Sequence, residues 1–323
     1  MYIFRFYAED SFYEDTMQVN IRGADGRTAL HIAVQYGHED VTLTLLARNA
    51  EVNAMSKPNI RGTEDLRKFE AGRIPLHWAA AQGHESIVRI VLENKADVLA
   101  RNATGRTALQ DSIWRSHDRI AIMLLERGSA ITNADNEAGT PLHEACYNGR
   151  LEVVKTLIAK GKETGDFPVM LDAITTDENR WNAFWFLRAT PIFFAAITCH
   201  VDCVRYLLQC GPSNSKYGDT PLHAACVLGN LVIVQLLLDA GVDIELRDSV
   251  NTETPLLKAA STGKTEVIRY LLEQGADPMA KNPCGRNALE HARLHEPGQH
   301  PAAVELLDQW IKRCDEPKKP PQT

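Results

Sequence analysis

Two carboxylates and an arginine stand closest to a catalytic arrangement in this chain. Asp111 and Glu144 are 33 residues apart, and Arg115 follows Asp111 by four. If the two acids sit at equivalent places on neighbouring helices packed about 8–10 Å apart, they could serve as general acid and base. Arg115 would steady developing negative charge. The plainer reading is electrostatic: Asp111 and Arg115 form an i, i+4 pair, and Glu144 lies near a helix start where the backbone dipole favours a negative charge. Cys199, His200 and Cys203 lie within about one helical turn, but zinc pairs come as repeated loop-borne couples, so these read as packed helix residues and no metal site is expected. No nucleophile-and-base pair and no phosphate-cradling glycine loop is visible, and nothing in the sequence asks for a cofactor.

The elements that must position these residues come from an internal repeat. The run GRTALHIAVQYGHEDV (Gly26 to Val41) returns in altered form from Arg73, Gly105, Gly139, Ala189, Gly218, Glu253 and Gly285. Ile74, Thr107 and Thr140 are spaced by 33, and Thr220, Thr254 and Asn287 by 34 and 33. Such a period marks stacked units, none of which can bury its apolar face alone. Within each unit Thr reads as a helix N-cap and the Pro after it suits the first turn. Three places on stand His31, His77, His143 and His223, with Gln110 or Glu290 in two other units, where a capping-box side chain reaches back. These histidines are therefore read as structural. Gly37, Gly83, Gly149, Gly229 and Gly263 end the short helix, and a second apolar helix is closed by Gly128, Gly161, Gly211, Gly241 and Gly275.

With TPLH, the AA pair, the GHxEV-like turn, the LL pair and a GAD-like ending, the chain resembles the ankyrin repeat family over about eight repeats, from Gly23 to near Trp310. The resemblance implies an all-α solenoid of stacked helix-turn-helix units with short hairpin fingers and a concave groove. Phe193 and Leu257 depart from it at the capping His, and Lys95 stands where Gly is expected after a second helix. The array spans 23–311. Residues 1–22 read as an atypical cap or the end of a preceding repeat, and 312–323 as a disordered tail.

The period fails twice. Thr28 to Ile74 is 46 residues and Thr140 to Thr190 is 50, which places insertions at 54–71 and 162–187 where fingers belong. The first is polar and reads as a mobile flap. The second ends in WNAFWFL, apolar enough to act as a lid over something. Between them, the residue after each capping position and those three and four further on should share one face lining the groove. Tyr36, Trp78, Gln82, Asp111, Trp114, Arg115, Glu144, Tyr147, Asn148 and Phe194 are the candidate binding residues, with Trp181 and Trp185 as one wall. Trp, Tyr and Arg on a concave surface suit a binding hot spot. The competing reading packs Trp78, Trp114 and Phe194 beneath the insertions as satellite core.

Composition narrows the partner. A chain of 323 residues, 44% hydrophobic and 24% charged, lies in the range of folded soluble proteins. A net charge of -7 disfavours nucleic acid. No run approaches the length of a membrane span, and the N-terminus does not read as a secretory signal. Seven cysteines without regular spacing suggest a reduced, cytoplasmic or nuclear protein. The leading expectation is a monomeric, non-enzymatic module that binds a protein or peptide through groove and fingers. The alternatives are a small molecule or a reaction enclosed between the insertions, and a fragment of a longer array.

Overall fold

The computed structural model describes residues 18–57, 71–136, 139–175, 189–211, 220–249, 251–294 and 300–315. Among them every regular element is helical, seventeen helices in all. The chain forms two compact units, Met1–Asn136 and Glu137–Thr323. In the first unit, helices alternate between a short first helix and a second helix: α1 (Ala29–Gln35), α2 (Glu39–Ala47), α3 (Pro75–Gln82), α4 (Glu85–Glu93), α5 (Ala108–Trp114) and α6 (Asp118–Glu126). The second unit continues the pattern with α7 (Pro141–Tyr147), α8 (Leu151–Thr164), α9 (Phe167–Leu171), α10 (Pro191–Ile197), α11 (Val201–Cys210), α12 (Pro221–Leu228) and α13 (Leu231–Asp239). It closes with α14 (Pro255–Ser261), α15 (Thr265–Glu273), α16 (Ala288–Leu294) and α17 (Pro301–Asp315).

The capping histidines hold one repeat to the next. In His31 the Nδ1 accepts from the Thr28 backbone N–H at 3.1 Å, while Nε2 faces the Arg73 carbonyl at 3.1 Å. A carbonyl can only accept, so Nε2 carries the proton and Nδ1 is the acceptor. His143 repeats the arrangement between Thr140 N–H (3.2 Å) and the Ala189 carbonyl (3.2 Å). Burial pushes both imidazoles down to about 4, so they stay neutral. Gln110 takes the same role by accepting from Thr107 N–H at 3.1 Å, and Glu290 by accepting from Asn287 N–H at 2.8 Å. Ile74 offers no oxygen, so its repeat keeps only the reach-back from Ile74 N–H to His77 Nδ1 at 3.3 Å. Where Phe193 replaces the histidine, the buried Thr190 hydroxyl has no hydrogen-bond partner.

A second histidine series stitches the ends of the first helices. His84 Nε2 donates to the Gln35 carbonyl at 3.2 Å, His117 to Ala81 at 3.3 Å, and His200 to Tyr147 at 3.1 Å. A β-carbon on Gly83, whose φ is 82°, would lie 2.5 Å from His117 Cε1, so glycine serves both the left-handed turn and the ring that covers it. Lys95 adopts φ 65° in its glycine's place.

Two expectations are corrected. Gly161 does not close a helix; α8 runs through it to Thr164 and ends on Gly165 at φ 84°. A β-carbon on Gly161 would come within 2.6 Å of Met170 Sδ, so its smallness admits the extra helix α9. The second insertion thus opens as ordered helix. At the far end α17 reaches Asp315, so the first four residues read as tail are helical. Its acids and bases at i, i+4 include Asp308 and Lys312.

Both insertions leave and rejoin through closed necks. Ser56 N–H donates to Arg73 O at 2.9 Å and Gly72 N–H to Ser56 O at 3.0 Å. Thr175 N–H donates to Ala189 O at 3.1 Å. The finger without an insertion uses the same bond, Asn102 N–H to Arg106 O at 2.9 Å. The flap and lid themselves, including Trp181 and Trp185, lie in 58–70 and 176–188, outside the described residues.

Candidate functional site

The face predicted from helical spacing divides into two rows. The residue after the capping position is buried at the four candidate positions, where Trp78 is 3% exposed, Asp111 4%, Glu144 0% and Phe194 1%, while Ile32 and Lys258 in the same place are half-buried. Of the residues three and four further on in the first unit, Trp114 is 39% exposed and Tyr36 65%, with Gln82 and Arg115 also exposed, while Ala81 is buried and Gln35 half-buried. In the second unit Tyr147 and Asn148 are half-buried. Helical side chains lean toward the N-terminus, so the post-cap residue covers the junction of helix and finger. In the first unit the arginines before the caps close over it. Trp78, Asp111, Glu144 and Phe194 are therefore beneath the surface and not its floor.

In the first unit that junction is built from charge. Arg106 Nε meets Asp111 Oδ1 at 3.2 Å and Arg106 Nη1 meets Asp135 Oδ2 at 3.5 Å. Arg73 Nη2 meets Asp111 Oδ2 at 3.3 Å. The pairing of Asp111 with Arg115 expected from spacing is replaced by these two partners. Trp78 is held between guanidinium groups, with Arg73 5.0 Å and Arg27 5.7 Å from its ring centre. Arg27 is itself tied to Asp25 at 2.6 Å, and Arg106 lies under the Trp114 ring at 5.9 Å. Trp78 Nε1, Arg73 Nε and Asp111 Oδ2 are buried without hydrogen-bond partners.

This lattice decides what Asp111 can do. Burial raises its carboxyl, but Arg73 and then Arg106 outweigh burial and hold it below the usual carboxylate range. A general acid or base must reach the proton it moves. Asp111 is instead a fixed, ionised counter-charge, and Glu144 in the second unit is fully covered. Among the described residues no group of three or more His, Cys, Asp or Glu could hold a metal ion. His200 is accounted for by its carbonyl partner.

The second unit fills the same slots differently. Phe194 packs edge-on against His143 at 5.7 Å and Tyr147 at 6.0 Å, which is core packing. Lys258, in the slot of Asp111, meets Asp248 at 2.8 Å and Glu253 at 3.1 Å. Glu253 precedes its cap just as Arg106 does. Sequence reasoning passed over the pre-cap arginines Arg27, Arg73 and Arg106, although the signal is legible as GRTAL, GRIPL and GRTAL at the repeat interval.

Comparison with known proteins agrees with this architecture. The family model described as ankyrin repeats (3 copies) matches residues 57–135, 101–167, 170–248 and 242–315, and the single ankyrin repeat model matches 25–57. Ankyrin repeat and KH domain-containing protein mask-1 of Caenorhabditis elegans is 30% identical over 233 residues, 55% of this chain and 9% of that protein. The B-cell lymphoma 3 protein homolog of Mus musculus is 32% identical over 169 residues, 50% of this chain and 35% of that protein. The chain thus spans about a third or less of the length of these two relatives. The human ASB11 ankyrin repeat domain superposes with a TM-score of 0.60 at 28% identity, covering 78% of this chain and 100% of that one. Among the described residues no helix is long and apolar enough to cross a membrane.

Proposed function

Because the chain belongs to the ankyrin repeat family, whose repeats are generally protein-interaction modules, we propose that it binds a protein partner through the exposed row of its first unit. The row comprises Tyr36, Gln82, Trp114 and Arg115 at the ends of α1, α3 and α5. The observation that carries the reading is Trp114, a large ring left 39% exposed while the arginine beneath it is locked by two carboxylates. A rigid, partly open aromatic beside a cation is the usual anatomy of an interface anchor. Pre-organisation by the buried lattice lowers the ordering cost of association.

The test is a Trp114→Ala, Tyr36→Ala double variant of the full chain. Its co-purifying proteins are quantified against the parent chain, and its melting temperature is followed in parallel. Selective loss of partners with unchanged melting supports the reading. An unchanged partner set from a folded variant would sink it.

A further inference from the structure

In the first unit a side-chain amide ties the start of one finger to the turn that precedes the next. After α2, Asn20 Oδ1 accepts from Glu51 N–H at 2.7 Å, and Asn20 Nδ2 donates to the Asn49 carbonyl at 3.4 Å. After α4, Asn53 accepts from Asp97 N–H at 2.8 Å and donates to the Lys95 carbonyl at 3.2 Å. The corresponding groups after α6 are Ala130 N–H and the Gly128 carbonyl, and the residue in the place of the asparagine is Leu99. The third turn is built like the other two. Asn49, Lys95 and Gly128 are left-handed at φ 63°, 65° and 88°, and the N–H that follows each reaches back to its helix at 3.0, 2.9 and 3.0 Å. Yet Ala130 N–H and the Gly128 carbonyl have no hydrogen bond among the described residues. Gly128 is exposed, Ala130 half-buried, and Leu99 50% exposed. The residue between the two groups differs as well. It is alanine in the corresponding turns, at Ala50, Ala96 and Ala276, but Ser129 here, and the buried Ser129 hydroxyl has no hydrogen-bond partner. An unpaired buried hydroxyl is costly, and this turn alone of the four bears it.

We propose that the turn after α6 docks an asparagine or glutamine side chain of a partner polypeptide. Its carboxamide accepts from Ala130 N–H and donates to the Gly128 carbonyl, as Asn20 and Asn53 do within the chain at the two like-built turns, and an apolar neighbour lies against Leu99. The site is at the end of a second helix, so it stands independently of the row at the ends of the first helices. Satisfying both backbone groups takes one side chain with separate donor and acceptor atoms, which a carboxamide has. Lysine and arginine cannot accept, and a carboxylate cannot donate. The chain shows the carboxylate case at the turn after α15: Glu245 accepts from Asp277 N–H at 2.8 Å, and the Gly275 carbonyl has no hydrogen bond among the described residues.

The experiment is selection of a random peptide display library on the immobilised full chain and, separately, on its Leu99→Asn variant, which supplies the chain's own carboxamide to the turn. The expected result is enrichment of Asn or Gln beside an apolar residue on the parent chain and its loss on the variant. A chosen peptide should bind Leu99→Asn about tenfold more weakly, as two exposed neutral hydrogen bonds allow. Changing its Asn or Gln to Asp or Glu should cost about the same, and Trp114→Ala should leave its affinity unchanged. Leu99→Asn should melt at or above the parent temperature, because the new side chain bonds within the chain; a lower melting temperature means that position 99 does not reach the turn and overturns the inference. Enrichment that survives Leu99→Asn overturns it too. So does a peptide that keeps its affinity when its Asn or Gln becomes Ala, since it binds through its backbone, and so does the absence of any selected peptide. Peptides that depend on Trp114 and not on position 99 overturn this inference and support the exposed row.

Discussion

Asp111 and Lys258 occupy the same slot in their repeats, one place after the capping position, and carry opposite charges. Around Asp111 the pre-cap partners are the arginines 73 and 106; around Lys258 the pre-cap partner is Glu253, joined by Asp248. The repeat therefore specifies a buried polar junction between helix and finger without specifying its sign. The difference lies in what surrounds each. Asp111 depends on two guanidinium groups that also lie against the rings of Trp78 and Trp114, and Arg106 reaches Asp135 and the Gln110 carbonyl besides. The acids beside Lys258 have other donors, since Asp248 Oδ1 accepts from Glu253 N–H at 2.7 Å and from Asn251 N–H at 3.2 Å. The first junction stiffens an exposed aromatic row, and the second is locally self-sufficient.

The largest break in this comparison should come from Asp111→Ala. It strands Arg106 and Arg73 without their shared counter-charge, and a loss of about 3–5 kcal/mol is expected in urea unfolding. Lys258→Met should cost about 1–2 kcal/mol, because Asp248 keeps its backbone donors. Equal losses, or a larger loss at Lys258, would break the asymmetry.

Acid should act through the capping histidines next. His31 and His143 protonate at about 4 in the folded chain against 6.5 as the ordinary value, so the unfolded chain takes up protons first. Stability is fully present above pH 6.5 and falls as pH drops from there toward about 4, by roughly 3 kcal/mol for each histidine in the limit. A His143→Gln variant, which copies the cap that Gln110 makes, should lose less stability between pH 8 and pH 5 than the parent chain. Parallel pH profiles would contradict this. The smallest effect is expected where a left-handed turn lacks its glycine. Ser116 in the first unit and Cys199 in the second have φ of 65° and 62°. Changing either to glycine should stabilise by about 0.5–1 kcal/mol in thermal melts.

The repeat was legible because each of its parts has a local cause. Thr caps, first-turn prolines, reaching histidines and left-handed glycines recur at a period that stacking imposes, and the finger necks at Ser56–Arg73 and Thr175–Ala189 fall where the period fails. The surface was legible only in half. Spacing places Trp78 and Trp114 on one helical stripe, yet one is buried and the other open, because burial there depends on arginines from before the caps and on the neighbouring repeat. Helical spacing also made Arg115 the partner of Asp111. Arg106, five residues earlier in the chain and outside the helix, takes that place at 3.2 Å. Gly161 misled for a similar reason: its role is to make room for Met170, a contact that no period announces.

The central claim is that a partner docks on the open row of the first unit, above the arginine–aspartate lattice. Site-specific incorporation of a photo-crosslinking phenylalanine derivative at position 115, and separately at the exposed position 89 on α4, tests it directly in the full chain. The account predicts a covalent adduct with a partner protein from position 115 and none with that partner from 89. Adducts from 89 with none from 115 would contradict it.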